Sequence, residues 1–250
     1  MLRLERVGLA GLVLARCLSL YWCIIWGRAA LDVPALAREL RRTGLEMLPA
    51  MTIVALVVGA SLGHQGTALL ARAALPGWLL PGITFTVIVE FAPLLTGILV
   101  AGRAGVALAA HLARLQLSGE LDGLRVCGID PIEFSVAPLL VALMMMSFAL
   151  SIWTSLIMLL VLFGWLYINA QVPVGLMLEM APRALSITAL LAAASKPLLF
   201  ALTSVLLAAV YGIQAGYASD GSGRAATQTL ISAVTLILLL DLGFVLWWPW

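Results

Sequence analysis

Between Glu133 and Glu179 the chain reads FSVAPLLVALMMMSFALSIWTSLIMLLVLFGWLYINAQVPVGLML (residues 134–178), without one Asp, Glu, Lys or Arg. A helix that crosses a bilayer needs ~20 mostly apolar residues. This stretch exceeds that length, so a span is expected over about 134–168. The surplus either tilts the helix or ends in a re-entrant piece near Pro173. In lipid every backbone N–H and C=O must find its partner inside the protein, which makes a helix the expected form.

The rest of the chain has the same character. Hydrophobic residues make up 63% and charged residues 10%, with a mean hydropathy of +1.12. Soluble domains carry about 25% charged residues, so the bilayer is the expected solvent. Four further spans are read at about 47–70, 78–102, 190–211 and 225–248. The expected fold is therefore an all-α polytopic membrane protein. Residues 1–46 are broken by arginines every few positions and read as amphipathic helices lying at the interface. Asp32 before Pro34 marks a helix start there. A hairpin around Cys17–Trp26 is the competing reading.

Composition also excludes function classes. A net charge of +2, with no basic run interleaved with aromatics, gives no nucleic-acid surface. Cys17, Cys23 and Cys127 are odd in number and lack CxxC spacing, so they read as free thiols. Two histidines, His64 and His111, are too few for a metal site, and no cofactor is expected on this chain. Arginines 3, 6, 16 and 28 interrupt the N-terminus, unlike a cleavable signal peptide. The chain contains no HExxH, no GxSxG beside a triad and no GxxxxGK[ST] loop, so it reads as a non-catalytic subunit that does not itself hydrolyse ATP.

Charge placement sets the expected orientation. With a cytoplasmic N-terminus, eleven arginines (3, 6, 16, 28, 38, 41, 42, 103, 114, 125 and 224) face inside, and only Arg72, Arg183 and Lys196 fall outside or in the outer half. Five spans then put the C-terminus outside, with Trp247, Trp248 and Trp250 in the outer aromatic belt. Residues 103–133 become the main polar connection, on the cytoplasmic side. Within it a short helix is expected over about 118–128. Ser118 would be its N-cap, Glu120 and Asp122 would fill its first turn, and Gly128 would end it. Asp130, Pro131 and Glu133 form the start of the next helix.

Several polar residues lie at membrane depth, where a charge costs on the order of 3 kcal/mol. Glu90 reads as lining a wet path, or as a carboxylate that is protonated or paired with Lys196 or Arg72. Pro93 one turn later is expected to kink or break its helix. Arg103 binds lipid phosphate, pairs with Asp122 or Asp130, or snorkels, with Gly102 and Gly105 allowing close packing beside it. Lys196 is placed near the outer end of the fourth span, Gln65 and His64 at the outer end of the first. Asp241 points inward toward Ser or Thr hydroxyls.

Three motifs in order carry a family resemblance. They are Glu90-Phe-Ala-Pro-Leu-Leu-Thr-Gly-Ile-Leu-Val-Ala-Gly-Arg-Ala-Gly105, Ser118-Gly-Glu-Leu-Asp-Gly-Leu-Arg-Val-Cys-Gly-Ile-Asp-Pro131 and Ser222-Gly-Arg-Ala-Ala-Thr227, with Asp241 beyond. Together with His64-Gln65-Gly66 they resemble the MlaE/YrbE permeases from about residue 60 onward. Ala92 stands where that family has glycine, and His111 where a glutamate is common. The resemblance implies the permease of an ABC-type, MCE-associated phospholipid transporter in a bacterial inner membrane. Its implied partners are a second permease copy, a cytoplasmic ATPase carrying ATP and Mg, an MCE-domain (MlaD-like) protein and, in some systems, a STAS-domain (MlaB-like) protein. It also implies that the short loop helix meets the ATPase, through Glu120, Leu121, Asp122, Leu124, Arg125 and Asp130. Glu90, Pro93, Gln65, Lys196 and Arg103 are the expected substrate-path residues. A secondary transporter or a non-transporting scaffold is the alternative, although no internal repeat supports the former.

Overall fold

The computed structural model describes residues 2–26, 33–73, 76–128, 130, 132, 135–215 and 220–247. Among them no strand occurs, and the helices run in sequence order. They are α1 (Leu2–Ile25), α2 (Val33–Leu40), α3 (Leu48–Ala73), α4 (Pro76–Phe85), α5 (Ala92–Val100), α6 (Val106–Leu117) and α7 (Glu120–Val126). After these come α8 (Ala137–Ala170), α9 (Val174–Met180), α10 (Ile187–Ile213) and α11 (Gly221–Trp247). Five helical stretches are long and apolar enough to cross a membrane: Leu36–Ala71, Leu80–Leu117, Ala137–Ala170, Ile187–Ile213 and Gly221–Trp247. The chain is an all-α polytopic membrane protein.

The helices are longer than the apolar runs suggest. The first candidate span begins at Leu36 rather than near Met47, because a π-helical turn at Arg41–Leu45 carries α2 toward α3. The second does not stop at Gly102. A π-helical segment at Ala101–Gly105 joins α5 to α6, and the helix continues to Leu117. Arg103 therefore sits inside a helix, and the expected connection over 103–133 shrinks to the residues after Leu117. Nothing at 103–117 breaks a helix, and Leu108, Ala109, Leu112 and Ala113 are buried on one face of α6. That buried face makes continuation favourable. Asp32, Pro131, Glu133, Trp248 and Trp250 lie outside the described residues.

At 34 residues, α8 would be about 51 Å long, well beyond the ~30 Å hydrocarbon core. It ends where Gln171 takes a left-handed φ of 51°, and Pro173 follows. Proline cannot donate to the preceding turn, so a new short helix, α9, starts at Val174.

The chain divides into two compact units. One comprises Met1–Glu46, Gly97–Met146 and Leu199–Leu238; the other comprises Met47–Thr96, Ser147–Leu198 and Leu239–Trp250. Lipid is as apolar as leucine, so packing rather than water exclusion holds spans together, and small residues favour it. In the first unit a Cβ on Gly212 of α10 would stand 2.7 Å from Leu112 Cβ and 3.0 Å from Ala109 O. Only glycine allows that approach. Gly102 and Gly105 are less constrained, since an added Cβ would meet ordinary contacts of 3.6–3.9 Å. In the second unit Ala55, Leu80, Val87, Ala92, Met158 and Leu166 belong to one buried cluster, to which Met177 of α9 also belongs.

Candidate functional site

The second unit holds a charged cluster built on three candidate spans. Lys196 lies on α10, Asp241 on α11, and Glu90 on a π-helical segment, Thr86–Phe91, between α4 and α5. Lys196 Nζ stands 2.6 Å from Glu90 Oε2 and 2.8 Å from Asp241 Oδ1. The lysine side chain is 0% exposed, while Glu90 retains 22% and Asp241 14%. Phe244, almost one turn beyond Asp241, presents its ring 5.7 Å from Nζ, within cation–π range.

Local winding explains how Glu90 arrives there. Pro93 has no N–H, and its ring crowds the carbonyl four residues back. The segment just before it is wound as a π-helix, with Ala92 N–H donating to Val87 O. π-Bulges insert one extra residue per turn and recur at functional sites. The expected kink or break at Pro93 is thus realised as π winding within a continuous helix. Pro197 follows Lys196 inside α10, and Ser147 donates its hydroxyl to the Pro197 carbonyl at 2.9 Å.

The electrostatics follow from burial. A lone ammonium at membrane depth costs about 2.5–3.5 kcal/mol on the insertion scale. Two carboxylates offset that cost for Lys196 and give the cluster a formal charge of −1. Burying charges in pairs retains them at a site without making the site a large source of stability. The partly exposed Glu90 is the member accessible from outside the cluster.

The sequence-read residues are thus partly united. Glu90 and Lys196 meet, and Pro93 follows the π segment that carries Glu90. Lys196 is not near a helix end: it is wholly buried in the first half of α10. Gln65 is exposed on α3, and its neighbour His64 meets Trp165 edge-on at 6.1 Å. Arg103 belongs to the first unit and pairs with neither Asp122 nor Asp130 in the described contacts. It contacts Glu46, with 2.7 Å to the backbone carbonyl and 3.1 Å to Oε2. Asp241 turns inward as expected, but to Lys196 rather than to hydroxyls.

The loop helix α7 spans Glu120–Val126. Ser118 is not its N-cap. It is the C-cap of α6, just past Leu117, with its hydroxyl on Leu115 O and Glu120 Oε1. The N-cap is Gly119 at φ +75°, and Gly128 at φ +76° turns the chain away at the other end. Both are left-handed positions that suit glycine. Asp122 pairs with Arg125 at 2.8 Å, and Asp130 accepts the Ile132 N–H at 2.9 Å. Glu120, Asp122 and Arg125 are exposed, Leu124 is half-buried and Leu121 is buried. Sequence reading missed Val126, which is 88% exposed.

Comparison with known proteins agrees with this architecture. The family described as Permease MlaE matches residues 36–247. The chain is 26% identical to the Arabidopsis thaliana protein trigalactosyldiacylglycerol 1, chloroplastic, over 82% of this chain and 58% of that one. It is 24% identical to a probable ABC transporter permease protein of Pyropia yezoensis, over 61% of this chain and 58% of the relative. With the intermembrane phospholipid transport system permease protein MlaE of Haemophilus influenzae it shares 26% identity over 83% and 80% of the two chains. The chain thus spans only about three fifths of the first two relatives. A family match covering residues 36–247, on a chain with five candidate spans, supports one conclusion: this chain belongs to the MlaE permease family.

Proposed function

We propose that this chain is the membrane-spanning, non-catalytic permease subunit of an ATP-driven phospholipid transporter in a bacterial inner membrane. The observation that carries this reading is the Glu90–Lys196–Asp241 cluster, polar chemistry held at depth within three candidate spans. Zwitterionic and anionic headgroups present a phosphate and often an ammonium. A buried lysine flanked by two carboxylates offers a counter-charge to each. Glu90, the most exposed member, is the first to meet a headgroup, and the π winding before Pro93 gives the adjoining backbone a way to adjust. Gln65 and Arg103 are further candidate headgroup contacts, each within its own unit.

ATP and Mg are bound by a separate ATPase, and α7 is the surface it meets, through Glu120, Asp122, Leu124 and Arg125. Buried Leu121 anchors α7 to its own unit, and Asp130 fixes the turn that follows. The N-terminus is cytoplasmic and the C-terminus periplasmic. A second permease copy, an MCE-domain protein and a STAS-domain protein complete the assembly.

The test is reconstitution of the purified assembly in proteoliposomes with labelled phospholipid. The wild-type chain should co-purify with an ATPase and move lipid only with ATP. Glu90→Ala should cut transport at least tenfold, well beyond any fall in the yield of folded protein, while ATPase co-purification holds. A parallel loss of transport and folding, or transport driven by protons without ATP, rejects the reading.

A further inference from the structure

Beyond α7 the chain turns at Gly128, whose φ is +76°, and the next long helix, α8, starts at Ala137. Along the chain, a displacement of α7 passes to α8 through this connection. Two side chains of α1 hold its two ends. Arg16 Nη1 stands 3.5 Å from Asp130 Oδ2, and Tyr21 donates its hydroxyl to the Ala137 carbonyl at 2.5 Å. The second carboxylate oxygen of Asp130 accepts the Ile132 N–H at 2.9 Å. Arg125 is engaged by Asp122, which leaves Asp130 to Arg16. All of these residues belong to the first unit.

α1 is itself seated firmly enough to act as a brace. Val13 and Cys17 are buried. With Arg16 and Tyr21 they form one stripe at helical spacing. Val13 and the buried Leu121 of α7 line one apolar cavity, so α1 faces α7 as well as the connection. Arg16 and Tyr21 lie five positions apart, about 7.5 Å along the helix axis. Burial, and then the Cys17 thiol beside it, push the Tyr21 hydroxyl up to about 12, so it remains a donor at neutral pH. Neither contact is a large source of stability. An exposed ion pair contributes little, and one hydrogen bond exchanges for another made with water. What the two contacts supply is position.

We propose that Arg16 and Tyr21 are positioning residues for energy coupling: α1 clamps the 130–137 connection, so that a push on α7 is delivered to the base of α8 instead of being absorbed at the turn. This inference rests on the reading above that α7 meets the ATPase. Without the clamp, the left-handed turn at Gly128 and the residues after it take up the movement, and ATP is spent with little lipid moved.

The assembly reconstituted in proteoliposomes reports lipid moved and ATP hydrolysed together. Tyr21→Phe removes the donor and Arg16→Gln the charge, and both leave the buried anchors of α1 in place. The double variant should keep ATP hydrolysis and ATPase co-purification within twofold of the wild type, while lipid moved per ATP falls at least fivefold. Arg16→Lys keeps the charge and should retain at least half of the wild-type ratio. Hydrogen exchange on the full chain in nanodiscs, which needs no ATPase, reads the clamp directly. In the double variant the amides of Ile132, Val136 and Leu140 should exchange at least fivefold faster, with those of α6 unchanged. An unchanged ratio of lipid to ATP overturns the proposal, as do unchanged exchange at those amides and a ratio that Arg16→Lys lowers as far as Arg16→Gln. Faster exchange throughout α6, or an equal loss of co-purification, also overturns it, because the two side chains then only hold the fold. Wild-type transport that needs no ATP overturns the parent reading and this one together, and normal ATP-driven transport with an unaffected double variant removes the clamp alone.

Discussion

Lys196 Nζ lies 2.6 Å from Glu90 Oε2, and the lysine has no exposed surface while the glutamate keeps about a fifth of its own. With Asp241 on the other side, the cluster is over-supplied with carboxylate. Lys196→Met would leave two carboxylates facing each other in apolar surroundings, and a loss of about 3–5 kcal/mol is expected. Glu90→Gln leaves Lys196 and Asp241 balanced, so it should cost less, about 1.5–3 kcal/mol. Thermal midpoints of the detergent-solubilised variants decide the order. A Glu90→Gln protein that is less stable than Lys196→Met would contradict the arrangement.

Gly212 sits where α10 crosses α6. Gly212→Ala drives a methyl group against Leu112 Cβ and the Ala109 carbonyl. Because backbone is involved, the neighbour cannot simply swing aside. Overpacking of this kind costs about 1–3 kcal/mol. Gly105→Ala, whose methyl group would find ordinary contacts, is the control and should leave the melting midpoint within a degree or two.

The N-terminal end and the middle of α7 should respond oppositely to the same substitution. Gly119 is left-handed, so Gly119→Ala is expected to destabilise by about 1–2 kcal/mol. Gly123 lies inside the helix with nothing within 4 Å of an added Cβ. Gly123→Ala should stabilise by about 0.4–1 kcal/mol. Hydrogen exchange of the α7 amides reads both effects locally.

The exposed and buried faces of α7 separate assembly from stability. Val126→Asp changes a residue that is 88% exposed. It should weaken ATPase co-purification several-fold while leaving the melting midpoint near that of the parent. Leu121→Ala empties a buried position and should cost about 2–5 kcal/mol. If Val126→Asp binds ATPase normally and Glu120→Lys does too, α7 is not the contact.

Much of the candidate site could be read from single residues but not from their neighbours. Glu90, Lys196 and Asp241 each stood out as a charge inside an apolar run, because ionisable groups at membrane depth are costly. Lys196 was one of two partners considered for Glu90, beside Arg72, but the choice between them and the addition of Asp241 were not legible: the three residues are separated by 106 and 45 positions, and no periodicity within one helix links them. Arg103 illustrates the same gap. Its type suggested a snorkelling or phosphate-binding role, yet it contacts Glu46, 57 residues earlier.

Long apolar runs by themselves determined that the chain is helical and crosses the membrane five times, since a continuous run of ~20 apolar residues satisfies its backbone in a bilayer as a helix, whereas a barrel strand alternates apolar and polar. Gly128 and the early acidic residues Glu120 and Asp122 likewise marked the short helix after the second span, while the left-handed Gly119 at its start emerged only in the structure. Helix ends were decided by packing. The helix continues past Gly102 to Leu117 because its buried face finds partners there, and those partners are absent from any local window. The pairing of Lys196 with two distant carboxylates was also a tertiary outcome, because a buried charge takes whichever counter-charge the folded chain places within about 3 Å.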